Sequence, residues 1–289
     1  MPAADIEVDV GLVRVLLDAQ RPDLARLEIR PLAFGWDNFS FRIGDDHVAR
    51  LPRRAIAAGL IENEARWLPE LAPDLPLPVP TPEFVGEPMD RYPWRWLITP
   101  FIPGQPAGEV TAFDVARCSE QIGDFLKQLH QVAPSEAPAN PYRGGPLTDR
   151  DAATRQRLDA VADRRARGRL ARLWAEALSA DLFEGSPVWI HGDLHPQNLL
   201  VADRVLAGVI DFGDITAGDP ATDLAVAWSL ASDFQDGFWE AYGPSGDSLR
   251  LRARGWAISL GLAYVASSAD NPSMERIGET TLRAVLDLS

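Results

Sequence analysis

The chain has one cysteine, Cys118, in 289 residues. An internal disulfide is therefore excluded, and so is a cysteine-rich zinc site. Cys118 falls in an expected helix from Phe113 to Gln131, where a buried structural thiol is expected rather than a nucleophile. Lysine is equally scarce: Lys127 is the only one among 28 lysines and arginines. Positive charge is in deficit overall, with a formal net charge of −14 and a pI near 4.7. A nucleic-acid backbone wants clustered Lys and Arg, so nucleic acid is excluded as the expected partner, whereas a cationic small molecule suits an acidic surface. No long hydrophobic run is present. The most apolar stretch, Trp256 to Ala266, falls short of the roughly 20 residues that span a bilayer. The N-terminus opens on Asp5, Glu7 and Asp9 rather than on a basic patch and an apolar segment, so neither a secretory leader nor a membrane partner is expected. A cytoplasmic protein with no obligate protein partner is the expectation.

What is present falls into two halves. Val8, Leu12, Val15 and Leu16 recur at helical spacing and predict a leading helix over 7–20. Short strands are expected over Arg26–Leu32, Phe39–Ile43 and His47–Leu51, with turns at Gly35–Asn38 and Gly44–Asp46. A helix over Ala55–Leu71 and two further strands, around Glu83–Val85 and over Arg95–Phe101, complete a β-rich first half. After about residue 105 the pattern becomes helical. Asp114–Gln131 and a long stretch over Asp149–Asp181 are expected helices, separated by a Pro- and Gly-rich loop over 134–148. A strand over Val188–Ile190 and a hairpin of Leu199–Val201 with Ala207–Ile210 interrupt the helices. From Asp223 onward the chain reads as helix again, with breaks near Gly243–Gly246 and Asn271–Pro272. The fold class expected is α+β, with an antiparallel N-terminal lobe over 1–102, assigned to nucleotide binding, and a mainly helical C-terminal lobe over 103–289, assigned to the catalytic loop and acceptor pocket.

The chemistry is concentrated in His191-Gly192-Asp193-Leu194-His195-Pro196-Gln197-Asn198, followed by Val209-Ile210-Asp211-Phe212-Gly213. One carboxylate, Asp193, can position a hydroxyl and take its proton. An amide oxygen, Asn198, and a second carboxylate, Asp211, can hold magnesium, a hard cation that prefers oxygen ligands. The spacing is similar to the H-R-D-x-x-x-x-N and D-F-G elements of protein kinases. His191 reads as a structural residue of the loop, and His195 receives no role. In the first half, His47-Val48-Ala49-Arg50-Leu51 has the pattern of a phosphate-anchoring strand. Lys127 lies on a helix well past these strands, so a kinase reading needs an arginine there; Arg50 is the candidate anchor, with Glu64 as the helix carboxylate that would orient it, and Arg53 and Arg54 are the rivals. An arginine presents a planar fork in place of a point charge and can hold phosphate bidentately. The turn from Phe34 to Ser40 would cover the nucleotide phosphates, with Asn38 and Ser40 as contributors. The hinge Ile98–Ile102 would offer the Thr99 carbonyl and the Phe101 N–H to a purine edge. Asp219, before Pro220, is a helix-start cap, and Asp223 could reach back to brace the catalytic loop.

On these residues the chain resembles the aminoglycoside phosphotransferase superfamily of small-molecule kinases, which includes macrolide 2′-phosphotransferases. The resemblance runs from about Ile29 to Leu230. It implies a protein-kinase-like two-lobed fold, ATP or GTP as donor, magnesium, and transfer to a hydroxyl of an antibiotic. Arg50 in place of the commoner lysine, and Phe212-Gly213 after the metal aspartate, are the departures. The acceptor is less legible. Asp214, Asp233, Asp236, Glu240 and Asp270 could meet ammonium groups, and Trp228, Trp239, Tyr242, Trp256 and Tyr264 could line an apolar wall. An aminoglycoside is the expected acceptor; a macrolide, a metabolite, or a nucleotide-binding pseudokinase without turnover are the alternatives.

Overall fold

The computed structural model describes residues 3–230, 234–268 and 270–287. It divides into two compact units. The first takes residues up to 73, residues 78–103 and the short segment Asp211–Gly213; the second takes the remainder. The inclusion of Asp211–Gly213 in the first unit is a departure from a linear division at residue 102.

The first unit is built on a five-stranded antiparallel sheet. Its strands are β1 (Ile29–Phe34), β2 (Asn38–Ile43), β3 (His47–Pro52), β4 (Phe84–Gly86) and β5 (Trp96–Pro100), in the order β1-β2-β3-β5-β4. Helix α1 (Val10–Gln20) precedes them, and its start is fixed by the Asp9 side chain accepting from the Leu12 N–H at 2.7 Å. Strand periodicity divides the sheet into two faces. Phe41 and Ile43 of β2, Ala49 and Leu51 of β3, and Trp96 and Ile98 of β5 all point one way. They form one buried cluster with Leu12, Val13, Leu16 and Leu17 of α1. The register pairs Ser40 with Arg50 and Arg50 with Leu97, so Asn38, Ser40, Arg50 and Thr99 share the opposite face. The apolar alternation that builds the core thus also sorts the expected nucleotide residues onto one side. Helix α2 (Ala55–Leu71) follows β3 and carries Glu64, which is fully buried.

The second unit is mainly helical. Strand β6 (Gln105–Pro106) opens it, followed by α3 (Val115–Leu129), α4 (Asp151–Asp159), α5 (Arg164–Leu178), β7 (Val188–Ile190), β8 (Leu199–Ala202), β9 (Val205–Val209), β10 (Thr216–Gly218), α6 (Ala221–Leu224), α7 (Phe234–Tyr242), α8 (Asp247–Ser267) and α9 (Pro272–Asp287). The single helix expected over Asp149–Asp181 is two, because Asp163 caps a new start by accepting from the Arg165 and Ala166 N–H groups. Strands β8 and β9 form a hairpin closed by Asp203-Arg204, both with positive φ (49° and 70°), the backbone of a tight two-residue turn. Strands β7 and β10 pair separately, with Ile190 opposite Thr216. Strands β6 and β10 have no counterpart among the sequence expectations. Cys118 lies buried on α3, where burial pushes its thiol up to about 11, which fits a structural residue. Among the described residues, no helix is long and apolar enough to cross a membrane.

Candidate active site

In the first unit the site is organised by Arg50. Its Nη1 donates to Glu64 Oε1, and its Nη2 donates to Asp211 Oδ1 at 2.5 Å. The Arg50 side chain is 8% exposed and that of Glu64 0%, whereas the Asp211 carboxylate is 52% exposed. The result is a graded triad, with a buried acid, a buried fork and an open acid. Burial pushes Glu64 up to about 7; Arg50 opposes this rise and Asp211 adds to it. Burial also works against the charge of Arg50, but Glu64 and Asp211 more than compensate and raise its pKa. Asp211 sits at φ 65°, a left-handed conformation that a non-glycine residue adopts only at a cost.

The rival arginines are engaged with the 35–38 turn. Arg53 donates to the Gly35 carbonyl at 3.0 Å and lies over the Phe39 ring, and Arg54 bonds Asp37 at 2.5 Å. Asn38 is buried, with no hydrogen-bond partner at Oδ1 among the described residues. Ser40 stands across the ladder from Arg50. The hinge differs from expectation. The Phe101 N–H donates to the Asp46 carbonyl at 2.7 Å, and ladder alternation places Thr99 with Val48 in the same hydrogen-bonded class. Both main-chain groups expected for a purine edge are therefore turned into the sheet. Pro100, the last residue of β5, alternates to the other edge, the side on which the Ile98 carbonyl accepts from the Glu83 N–H at 2.8 Å. The Phe101 N–H expected at a purine edge is thus already engaged within the structure.

In the second unit, β7 delivers the His191–Asn198 loop, and Asp223 holds its base. The Asp223 carboxylate accepts from the N–H groups of His191 (2.7 Å) and Gly192 (2.9 Å), with His130 Nε2 at 3.2 Å. Gly192 has φ 86°, and a Cβ there would lie 2.4 Å from the Asp214 carbonyl oxygen, so the turn requires glycine. The His191 ring bridges the loop: Nδ1 accepts from the Asp193 N–H at 3.3 Å, and Nε2 donates to the Ile210 carbonyl at 3.0 Å. These are the structural roles expected of Asp223 and His191. Asp219 also behaves as expected, accepting from the Ala221 N–H at 3.0 Å, and it is further paired with Arg252 at 2.6 Å. Asp223→Ala is expected to lower the unfolding free energy by about 3–5 kcal/mol, because it strands two buried N–H groups and His130. The urea midpoint should fall at unchanged slope.

Asp193 is 27% exposed. Its Oδ1 accepts from Arg143 Nη2 at 3.0 Å, and its Oδ2 lies 3.4 Å from His195 Nε2. Burial alone would raise its pKa, but His195, Arg143 and His191 together hold it well below the ordinary carboxylate range. Asn198 sits at the end of a short helical turn. Its Nδ2 donates to the Asp193 carbonyl at 2.9 Å, and its own carbonyl accepts from the Ile210 N–H at 2.9 Å. With Nδ2 committed, Oδ1 is the atom left for a cation. The donor types, an amide oxygen on Asn198 and an open carboxylate on Asp211, suit magnesium, which takes few protein ligands and fills its shell with phosphate oxygens and water. Among the described residues there is no cluster of three or more His, Cys, Asp or Glu able to hold a metal without such help.

The acceptor candidates divide sharply. Trp228, Trp239 and Trp256 are buried core residues, and Tyr242 bonds His130 at 3.0 Å. Asp214 accepts from Asn140 at 2.7 Å. Asp236, Glu240 and Asp270 are exposed, while Asp233 lies outside the described residues. Tyr264 alone among the aromatics stands near Asp193, and its ring meets His195 edge-on at 5.7 Å. Sequence reasoning missed Arg143 and His195. Arg143 lies in a Pro- and Gly-rich loop whose composition signals only a turn.

The first unit thus carries a buried arginine–glutamate pair on an antiparallel sheet, and the second presents an aspartate from a braced loop. The chain belongs to the phosphotransferase enzyme family, whose model matches residues 28–256. It is 28% identical to aminoglycoside 3′-phosphotransferase of Escherichia coli over 50% of this chain and 56% of that protein. It is 31% identical to streptomycin 3″-kinase of Streptomyces griseus over 54% of this chain and 65% of that one. The chain thus spans less than two thirds of these relatives. The structure of the GDP complex of aminoglycoside 2′-phosphotransferase-IIIa is similar in fold, with a TM-score of 0.74 at 20% identity, covering 98% of this chain and 100% of that one.

Proposed function

We propose that the protein moves the γ-phosphoryl group of ATP or GTP to a hydroxyl of a small molecule, and that this molecule is an aminoglycoside. The observation that carries the reading is Asp193: a partly exposed carboxylate, ionised throughout the working pH range, on a loop that Asn198 ties to the β8–β9 hairpin. Asp193 orients the acceptor hydroxyl and receives its proton as the oxygen bonds to phosphorus. Little basicity is needed, because the transition state is loose and the proton leaves late. Arg50, oriented by Glu64, anchors the nucleotide phosphates, with Asn38 and Ser40 on the same sheet face. The purine edge is met by the Pro100 carbonyl and the Ile102 N–H. Asn198 and Asp211 are the magnesium ligands of this reading. Ile210, the residue before Asp211, already bonds the Asn198 carbonyl. When bound, magnesium would neutralise charge on the nucleotide phosphates.

The aminoglycoside assignment is supported by the names of two curated relatives and by the exposed carboxylates of Asp236 and Glu240 on α7, while a homoserine kinase of Granulibacter bethesdensis, 31% identical over 47% of this chain, favours the metabolite alternative. The test is a panel of aminoglycosides, macrolides and hydroxyl-bearing metabolites with ATP and with GTP, following nucleoside diphosphate release and acceptor mass. Phosphorylated aminoglycoside is the expected product. EDTA should abolish its formation and excess magnesium should restore it. Turnover only with a macrolide or a metabolite would reassign the acceptor. Nucleotide binding with no transfer to any acceptor or to water would make the protein a pseudokinase.

A further inference from the structure

A phosphoryl group that arrives at a hydroxyl held by Asp193 brings negative charge against a carboxylate. Repulsion at that point opposes transfer unless a cation stands beside it. The catalytic loop offers no permanent cation, since Leu194-His195-Pro196-Gln197 contains neither lysine nor arginine. The cation present comes from elsewhere in the same unit. Arg143 Nη2 lies 3.0 Å from Asp193 Oδ1, and the guanidinium side chain is 20% exposed. Its Nη1 makes only a 3.4 Å contact with the Tyr142 carbonyl.

The loop that carries Arg143 is built rather than loose. Pro138 accepts from the Ala217 N–H and the Thr216 hydroxyl, and Asn140 bonds Asp214. The Gly144 N–H donates to the Thr222 hydroxyl, and the Gly144 carbonyl accepts from the Asp219 N–H. Gly144 and Gly218 pass so closely that a Cβ on Gly218 would lie 2.5 Å from the Gly144 Cα. A second observation marks the surroundings of Asp193 as incomplete. Arg143 Nε and His195 Nδ1 are buried, and neither has a hydrogen-bond partner among the described residues. Orphaned polar atoms on two side chains that both contact Asp193 indicate a polar group that belongs there during the reaction.

We propose that Arg143 is a catalytic residue that contacts the transferred phosphoryl group, supplying in cis the charge of an arginine finger. This rests on the phosphotransferase reading above. In the step, a lone pair of the acceptor oxygen forms the new O–P bond. The bond from phosphorus to the β,γ-bridging oxygen breaks, its electron pair stays on the nucleoside diphosphate, and the acceptor proton passes to Asp193. Arg143 holds Asp193 in place through Nη2 and uses Nη1 for an equatorial phosphoryl oxygen, where negative charge is spread in the transition state. Its planar fork allows both bonds at once, which a lysine ammonium cannot reproduce.

The test compares the parent with Arg143→Met, Arg143→Lys and Arg143→Ala, using magnesium–ATP and the acceptor that gives turnover in the panel, or water if none does. Arg143→Met is expected to lower kcat by about 10²–10³-fold, the loss typical of one transition-state donor, with the nucleotide KM essentially unchanged. Arg143→Lys should recover part of this. Added guanidinium ion at millimolar concentration should partly restore Arg143→Ala but not Asp193→Ala. Parent-like kcat in Arg143→Met overturns the inference. So does a change confined to the acceptor KM, which would make Arg143 a binding residue, or a loss that guanidinium does not rescue and that follows a lowered melting temperature. A parent without any phosphoryl transfer overturns the functional reading and this inference with it; parent turnover with parent-like Arg143→Met overturns this inference alone.

Discussion

Asp193→Ala is expected to lower kcat for acceptor phosphorylation by about 10²–10⁴-fold, the range for losing a positioned acid–base group. The nucleotide KM should change little, because the phosphate anchor of this reading, Arg50, lies in the other unit and keeps its partners Glu64 and Asp211. Asp193→Asn keeps the shape but removes the charge that pairs with Arg143, so it should be nearly as impaired. The pH dependence follows from the same contacts. Burial opposes ionisation of Asp193, but His195, Arg143 and His191 outweigh it, so the folded carboxyl titrates below its ordinary value. Its contribution to stability is therefore present above the unfolded value of 3.8 and is lost as pH falls through the lower folded value. No inflection from Asp193 is expected in the kcat profile between pH 5 and 8. Asp193→Ala that kept turnover within about tenfold of the parent would remove this residue from the reaction centre.

Arg50→Ala should act on both binding and folding. Losing a charge-assisted phosphate contact of about 1.5–3 kcal/mol raises the nucleotide KM by about 10–150-fold. The same change leaves Glu64 fully buried without its partner, at a cost of about 3–5 kcal/mol. The double variant Arg50→Ala/Glu64→Gln separates the two effects: stability should return, while the weakened nucleotide binding should not. An unchanged KM in the stable double variant would move the anchor to another arginine. Glu64 gives a pH signature of opposite sign to that of Asp193. Burial raises its folded pKa above 4.5 to about 7, so its contribution to stability is complete below 4.5 and is lost as pH rises through about 7. Glu64→Gln, which does not titrate, should lack that fall, and melting temperatures of the two proteins between pH 4.5 and 8 should show it.

Local patterns carried much of the architecture. The β2–β3 hairpin, α2, the β8–β9 hairpin and the His191–Asn198 loop are written in alternation, turn residues and motif spacing, all short-range signals. Glu64 reached Arg50 as expected because helix α2 follows β3 directly. Expectations failed where a result depended on register or on distant pairing. That the Phe101 N–H is taken up by Asp46 was not legible, because hydrogen-bond direction alternates along β5 and only the observed pairing of His47 with Pro100 fixes its phase. Strand β10 was invisible because its three residues become a strand only by meeting β7. Arg143 meets Asp193 across 50 residues of chain, and no periodicity encodes that contact. The break before α5 could have been read from Asp163, a residue type that favours helix starts.

The close passage of Gly144 over Gly218 bears on how this scaffold can diversify. The anchoring of the 138–145 loop uses backbone groups, two glycines and a few short polar side chains, while Tyr142 and Arg143 take little part in it. The exposed Tyr142 can change identity without loosening the weld beneath it, whereas Arg143 is tied to Asp193. The segment therefore has the properties of an exchangeable cassette: a fixed mount with one variable tip, open to grafting between relatives or to directed evolution.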